Sequence, residues 1–133
     1  MIYGVKVIHK KINFEDARGS IRDIFVGDPW EHCTIIVSKK GASRGNHYHK
    51  KTTQLTYVIS GQLLVLSQKI SSEKIEQHLL GPGDLMIHQP KEMHAMIAKT
   101  DTVFLAFAKG LRGGKNYEKD TYRISPPLED RIK

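Results

Sequence analysis

Gly45-Asn46-His47-Tyr48-His49-Lys50 is the stretch on which the reading of this chain turns. Alternate side chains of an extended strand face the same side. The i, i+2 spacing of His47 and His49 therefore points both imidazoles into one space and sends Tyr48 to the opposite face. The plain account of such a pair is two exposed histidines at a strand end. A third histidine, His94, follows the turn-like Gln89-Pro90-Lys91-Glu92 far along the chain. Three imidazoles converging inside a small β-structure is how a divalent metal is held.

Outward from that stretch, the apolar segments are short, rich in β-branched residues and separated by turn chemistry. Strands are expected at Thr34–Ser38, Gln54–Ser60, Leu63–Gln68, Ile75–Leu80, Leu85–His88, His94–Ala98 and Val103–Ala108. Ser60-Gly61-Gln62 and Gly81-Pro82-Gly83-Asp84 are the clearest turns between them. Many short strands without a convincing amphipathic helix read as an all-β sandwich or barrel. The period-2 pattern puts Gln54, Thr56, Val58 and Ser60 on one face of their strand, looking into the same cavity as the histidine pair. Leu55, Tyr57 and Ile59 take the other face. Neither face is strongly polar, as in strands covered on both sides.

A length of 133 residues fits a single domain, with a core from about residue 30 to 110, an N-terminal strand arm and a polar C-terminal arm. Glycine-rich Arg112-Gly113-Gly114-Lys115 opens the second arm, and Ser125-Pro126-Pro127 near its end cannot pair centrally in a sheet. The single cysteine, Cys33, has no internal disulfide partner and is expected to be a buried, inert thiol beside Thr34-Ile35-Ile36-Val37. Met1-Ile2-Tyr3-Gly4-Val5-Lys6 carries neither a long apolar run nor a small-residue cleavage site, and no segment has the apolar length to cross a bilayer. Cytoplasmic residence and no membrane partner are the expectation. The net charge of +7 comes from scattered lysine doublets with no nucleic-acid motif, so nucleic acid is not an expected partner. A guanidinium fork matches phosphate oxygens in pairs, which makes Arg18 and Arg44 the best candidates to hold a diphosphate.

The spacing Gly41, five residues, His47-x-His49, four residues, Gln54, six residues, Gly61 resembles the first motif of the cupin superfamily, with glutamine where the family most often has glutamate. Gly83 and His94 resemble the second motif, which here has lost its usual proline, glycine and asparagine. Asp16-Ala17-Arg18-Gly19-Ser20-Ile21 and Ser43-Arg44-Gly45-Asn46-His47-Tyr48-His49 are similar to Arg-Gly elements of cupins acting on nucleotide-linked sugars. Those cupins include dTDP-sugar 3,5-epimerases and 3,4-ketoisomerases, and the metal-binding cupin domain of bifunctional capsular-polysaccharide enzymes. The tail Tyr117-Glu118-Lys119-Asp120-Thr121-Tyr122 resembles that last domain too.

The resemblance implies a small jelly-roll barrel, a homodimer and a nucleotide-sugar substrate. It also implies one divalent ion (zinc, nickel, iron or manganese) on His47, His49 and His94, with Gln54 either a further, neutral ligand or a hydrogen-bond partner for the substrate. The chemistry is proton removal from a carbon beside a keto group, making the chain an isomerase or epimerase. This step needs a base and a group that stabilises the enolate oxygen. Without metal, His47 and His49 act as base and acid themselves. With metal the base lies elsewhere, among Tyr48, Tyr57, Lys50 and His88; for His88 a structural or surface position is the stronger expectation. Lys50 joins Arg18 and Arg44 as a substrate-binding candidate. The rival readings are a small Fe(II) dioxygenase and a non-catalytic sugar- or metal-binding cupin.

Overall fold

Two five-stranded sheets, antiparallel throughout, form the body of the fold in the computed structural model, which describes residues 6–27, 30–110 and 119–132. In chain order the strands are β1 (Val7–His9), β2 (Phe14–Asp16), β3 (Gly19–Ile21), β4 (His32–Ser38), β5 (Ser43–Tyr48) and β6 (Thr53–Ser60). They continue with β7 (Leu63–Lys69), β8 (Glu76–Leu80), β9 (Asp84–His88), β10 (Glu92–Ala98), β11 (Thr102–Lys109) and β12 (Tyr122–Arg123), before one helical turn, α1 (Leu128–Arg131). One sheet runs β1-β9-β6-β11-β4 and the other β12-β5-β10-β7-β8, while β2 and β3 pair only with each other. This is the jelly-roll arrangement expected from the strand pattern and motif spacing. Tyr117, Glu118 and the Arg112–Lys115 stretch lie outside the described residues, as do residues 1–5. Among the described residues no helix is long and apolar enough to cross a membrane.

Three apolar clusters follow from the alternation along the strands. Val58, Leu63, Val65, Leu80, Met86, Met96 and Phe104 come from both sheets and fill the space between them. Leu55, Tyr57, Leu85, Ile87 and Phe107 lie on the outer face of the first sheet, covered by Ile24, Phe25 and Trp30. Leu66, Met93 and Ala95 lie on the outer face of the second sheet, under Ile124 and Leu128 of the C-terminal segment. Both faces of β6 and β10 are therefore buried, which explains runs with little polar alternation.

Cys33 departs from expectation, for it is exposed. It lies on β4, the free edge of the first sheet, and pairs with Phe107 of β11. Its face of the strand also leaves Ile35 and Val37 63% and 65% exposed. The apolar run that reads as core is here an uncovered outer face.

Candidate functional site

The inner space is apolar at one end and polar at the other. Gln54 and Thr56 of β6, His88 of β9 and His94 of β10 are each 1% exposed or less, although all carry polar atoms. They line the interior beyond the Val58–Met96 cluster because the same alternation that turns Val58 and Met86 inward turns these residues inward as well.

The local shape of β5 depends on two residues before His47. His94 pairs with His47 and Ala95 with Gly45, which leaves Asn46 as an extra residue in the ladder. Gly45 and Asn46 both have positive φ, +89° and +54°. A side chain at Gly45 would place its Cβ 2.8 Å from the carbonyl oxygen of His94, so only glycine lets β5 and β10 approach here. Asparagine is among the residues that tolerate the left-handed region. The bulge also shifts the alternation by one, so that Arg44 and His47, three residues apart, share a face. Both line a cleft of about 380 Å³ together with Thr34, Gln54, Met96 and Arg123.

His47, which lines that cleft, converges with His49 and His94, both buried behind it. One nitrogen of each can be chosen so that all lie within 4.8 Å of one another. Ring centroids are 4.7 Å apart for His47 and His94, and 5.0 Å for His47 and His49. His49 Nδ1–H donates to the carbonyl oxygen of Asp120 at 2.6 Å, which leaves the lone pair on Nε2. Among the described residues, the backbone of Glu92 is the one hydrogen-bonding group that bears on the His94 ring, at poor geometry, and Oε1 of Gln54 is buried without a partner. Buried polar atoms without partners are rare, so this set calls for an ion, water or substrate. Three imidazoles and a carboxamide are a suitable donor set for a divalent transition ion, with positions left open. Burial holds the His94 imidazole well below the usual histidine range, with the neighbouring histidines adding to the effect. Its neutral, ligating form therefore prevails at neutral pH.

His88 belongs inside this polar end and not on the surface. Its ring lies 4.8 Å from that of His94, and its Nε2 is 2.8 Å from Thr56 Oγ1. Burial first, then the charge of Lys6 and the other histidines, brings it down to about 3. Alternation with Met86 gives the correct inward direction, but sequence alone did not show that the space there is closed.

The remaining candidates divide by face. Arg44 stands at the mouth of the cleft, on strand β5 and not in a loop, with Nε–H donating to Ser38 Oγ (3.3 Å) and Nη2–H to the carbonyl of Val37 (3.1 Å). Tyr48 points away from the histidines and stacks on Tyr122, centroids 5.3 Å apart. Lys50 lies over the same Tyr122 ring, 4.4 Å from its centroid. Tyr57 is buried in the outer cluster of the first sheet, where its hydroxyl accepts from Arg22 at 3.4 Å. For both tyrosines the period-2 rule already places the side chain on the wrong face. Arg18 sits on the β2–β3 hairpin, ion-paired to Asp16 at 2.7 Å, and lines a separate hollow of the hairpin itself. Within this chain it is not brought to the histidine cleft. Two residues escaped the sequence reading, Arg123 in the cleft and Asp120 behind His49. Both lie in the polar tail, where the family resemblance covers Asp120 without assigning it a role and Arg123 falls just past it.

The sequence model of the polysaccharide biosynthesis C-terminal domain matches residues 14–107. Comparison with curated proteins finds no match. Among solved structures, dTDP-4-dehydrorhamnose 3,5-epimerase from Sulfolobus tokodaii superposes with a TM-score of 0.77 at 21% identity, over 90% of this chain and 76% of that one. The sugar 3,4-ketoisomerase QdtA from Thermoanaerobacterium thermosaccharolyticum, in complex with TDP, gives 0.75 at 22% identity over 99% and 94%. ChmJ, a 3'-monoepimerase from Streptomyces bikiniensis in complex with dTDP-quinovose, gives 0.79 at 18% identity over 94% and 71%. At such identities the likeness is one of fold, the cupin-type jelly roll.

Proposed function

We propose, because the chain belongs to the polysaccharide biosynthesis C-terminal domain family, that it is a metal-binding isomerase or epimerase of a nucleotide-linked keto-sugar. The observation that carries this reading is the convergence of His49 and His94 on His47, which lines a cleft together with Arg44 and Arg123. Nitrogen donors lie inside and guanidinium groups line the cleft. The fold neighbours from Sulfolobus, Thermoanaerobacterium and Streptomyces act on or hold dTDP-linked sugars or TDP, ligands with a diphosphate or a diphosphate-linked sugar.

In this reading His47, His49 and His94 hold a divalent ion, and Gln54 offers a neutral oxygen to it or to the substrate. A bound ion supplies Lewis acidity toward a carbonyl oxygen. Arg44 and Arg123 take the diphosphate and so set the distance from the nucleotide to the histidines. The β-sheet interior keeps bulk water from the carbon that loses its proton. A nitrogen bound to metal cannot accept that proton, so the metal-free alternative, with His47 and His49 as base and acid, excludes this one. His49 suits both, since its donated Nδ1–H leaves Nε2 basic.

The same reading includes a homodimer in the cytoplasm. A lone two-stranded hairpin is marginal in water, yet β2–β3 leaves Phe14 and Ile21 51% and 60% exposed. The outer face of β4 is likewise uncovered. A second copy seated on these surfaces buries them and brings its Arg18 toward a cleft that is not its own.

The test is solvent exchange. In deuterium oxide, NMR of a 4-keto dTDP-sugar incubated with the protein is expected to show deuterium entering at the carbon beside the ketone. His47→Ala is expected to abolish both exchange and stoichiometric metal while the barrel still folds. Exchange that survives chelation assigns the histidines themselves as acid and base. Oxygen consumption dependent on Fe(II), with no exchange on any keto-sugar tried, would overturn the isomerase reading in favour of an oxygenase.

A further inference from the structure

His49 lies just past the end of β5, where the ladder no longer fixes the backbone. It is nevertheless 3% exposed and held from two sides. Its carbonyl accepts from Lys91 N–H at 2.6 Å, and its Nδ1–H donates to the carbonyl of Asp120 at 2.6 Å. Asp120 comes from the C-terminal segment, 71 residues on. Its carboxylate collects the backbone N–H groups of Lys50, Lys51 and Thr52 at 2.8–2.9 Å, and the Thr52 hydroxyl at 2.9 Å. Four donors on one carboxylate, itself 4% exposed, dock residue 120 onto the turn that carries His49. Burial acts to raise this carboxyl, but the hydrogen bonds from Lys50, Lys51 and Thr52 outweigh it and hold the group below its ordinary range.

We propose that Asp120 is a positioning residue of the histidine site: by docking on the 50–52 turn it presents its carbonyl to Nδ1 of His49 and so fixes both the tautomer and the ring orientation of that histidine. An imidazole whose Nδ1–H is committed to a carbonyl has its lone pair on Nε2. Ligating histidines are oriented by such a bond on their other nitrogen, and losing the partner costs about 10–100-fold in metal affinity. The carboxylate and the carbonyl have separate tasks here. The first locks the backbone of residue 120 in place, and the second acts on the ring. The inference rests on the reading of His49 as a working residue of the site, whether as ligand or as base.

The variant of choice is Asp120→Asn, which keeps the shape but sets an amide donor against backbone donors. Long-range proton–nitrogen NMR of the metal-free protein, above the pH where histidine is charged, reports the two ring nitrogens of His49. The native protein is expected to show a protonated Nδ1 and an unprotonated Nε2. Asp120→Asn is expected to show a mixture of tautomers and a zinc affinity lowered 10–100-fold. Leu80→Ala removes packing on β8, remote from this turn, and serves as a control for general destabilisation; it is expected to leave the His49 tautomer as in the native protein. A native tautomer retained in Asp120→Asn, or a shift equally large in Leu80→Ala, would overturn the proposal. Because the tautomer is read without metal or substrate, this outcome is independent of whether the protein proves to be a metal-dependent isomerase.

Discussion

The two segments that flank the barrel are built to opposite ends. The N-terminal β2–β3 hairpin pairs only with itself, leaves both its apolar side chains in solvent and carries one exposed ion pair between Asp16 and Arg18. The C-terminal segment touches the second sheet at point after point. Asp120 docks on the turn after His49, Tyr122 and Arg123 pair with Tyr48 and His47, and Ile124 N–H reaches the carbonyl of Asn46 at 3.0 Å. Leu128 is fully buried, and Glu129 takes bonds from Ser43 and Asn46. The strand so held is β5, which carries Arg44, Asn46 and His47. Without β12 it would be the edge of its sheet. One arm completes the site within the chain, whereas the other is left available to something outside it.

The largest expected effect comes from Leu128→Ala. Its side chain fills the outer cluster with Leu66, Met93 and Ala95, and truncations of this kind typically cost about 2–5 kcal/mol. Phe14→Ala on the hairpin removes a larger side chain yet is expected to move stability by no more than about 0.5 kcal/mol, as an exposed position should. Urea denaturation of both, at a protein concentration low enough to keep the chains monomeric, decides the comparison. Equal losses would mean that the hairpin packs on the barrel as tightly as the tail does.

Asn46→Ala comes next. The side chain accepts Leu128 N–H at 2.8 Å and donates to Glu129 at 2.9 Å, all from a left-handed backbone conformation. Alanine loses both bonds and tolerates that conformation less well, for an expected cost of about 2 kcal/mol. If the cost instead fell near zero, the tail would be held by its apolar contacts alone.

The fold was legible where the chemistry is local. β-Branched runs between glycine turns placed β4, β6, β7, β8, β9, β10 and β11 within two residues of their observed bounds. His47, His49 and His94 are close in space because strand alternation and motif spacing both require it. What was not legible depends on contacts far apart in sequence or on a broken period. Nothing in Arg44-Gly45-Asn46 announces that it is strand, or that a bulge there re-aims Arg44 into the cleft. Arg123 lies on a two-residue strand, too short for any pattern to show. The burial of Cys33 was misjudged because an edge position is a property of sheet order. Tyr48 and Tyr57 are different, since the alternation rule already excluded them.

A smaller effect separates the arms by pH. Glu129 is subject to burial, which raises its carboxyl, but the bonds from Ser43, its own backbone N–H and Asn46 prevail and hold it below the usual 4.5. A carboxyl depressed in the folded state stabilises above its unfolded pKa, and that contribution is lost as pH falls through the folded value. Denaturation midpoints are therefore expected to fall on acidification below about 4.5, and to fall less steeply in Glu129→Gln. The hydrogen bonds from Arg18 also lower Asp16, but that pair sits on the exposed hairpin, where an ion pair contributes little. Asp16→Asn is expected to leave the acid limb unchanged. A flattened limb in Asp16→Asn but not in Glu129→Gln would reverse the assignment of the two arms.

The smallest effect on stability is expected from Arg18→Ala, and here the proposed second copy enters. With 85% of its side chain in solvent and Asp16 as its ion-pair partner, Arg18 adds almost nothing to the isolated chain. If the hairpin of one copy serves the cleft of another, Arg18→Ala and Arg44→Ala both weaken nucleotide binding, because charge-assisted contacts are typically worth about 1.5–3 kcal/mol each. The two variants then fail for different reasons, one lacking the arginine given and the other the arginine that stays. In a two-fold dimer mixed from equal parts, half the dimers are hybrids, and each hybrid has one cleft with both arginines intact. Mixing the two impaired proteins should accordingly restore about a quarter of the native exchange rate. No recovery on mixing, with both variants shown to exchange subunits, would confine Arg18 to its own chain and leave the hairpin without a part in the site.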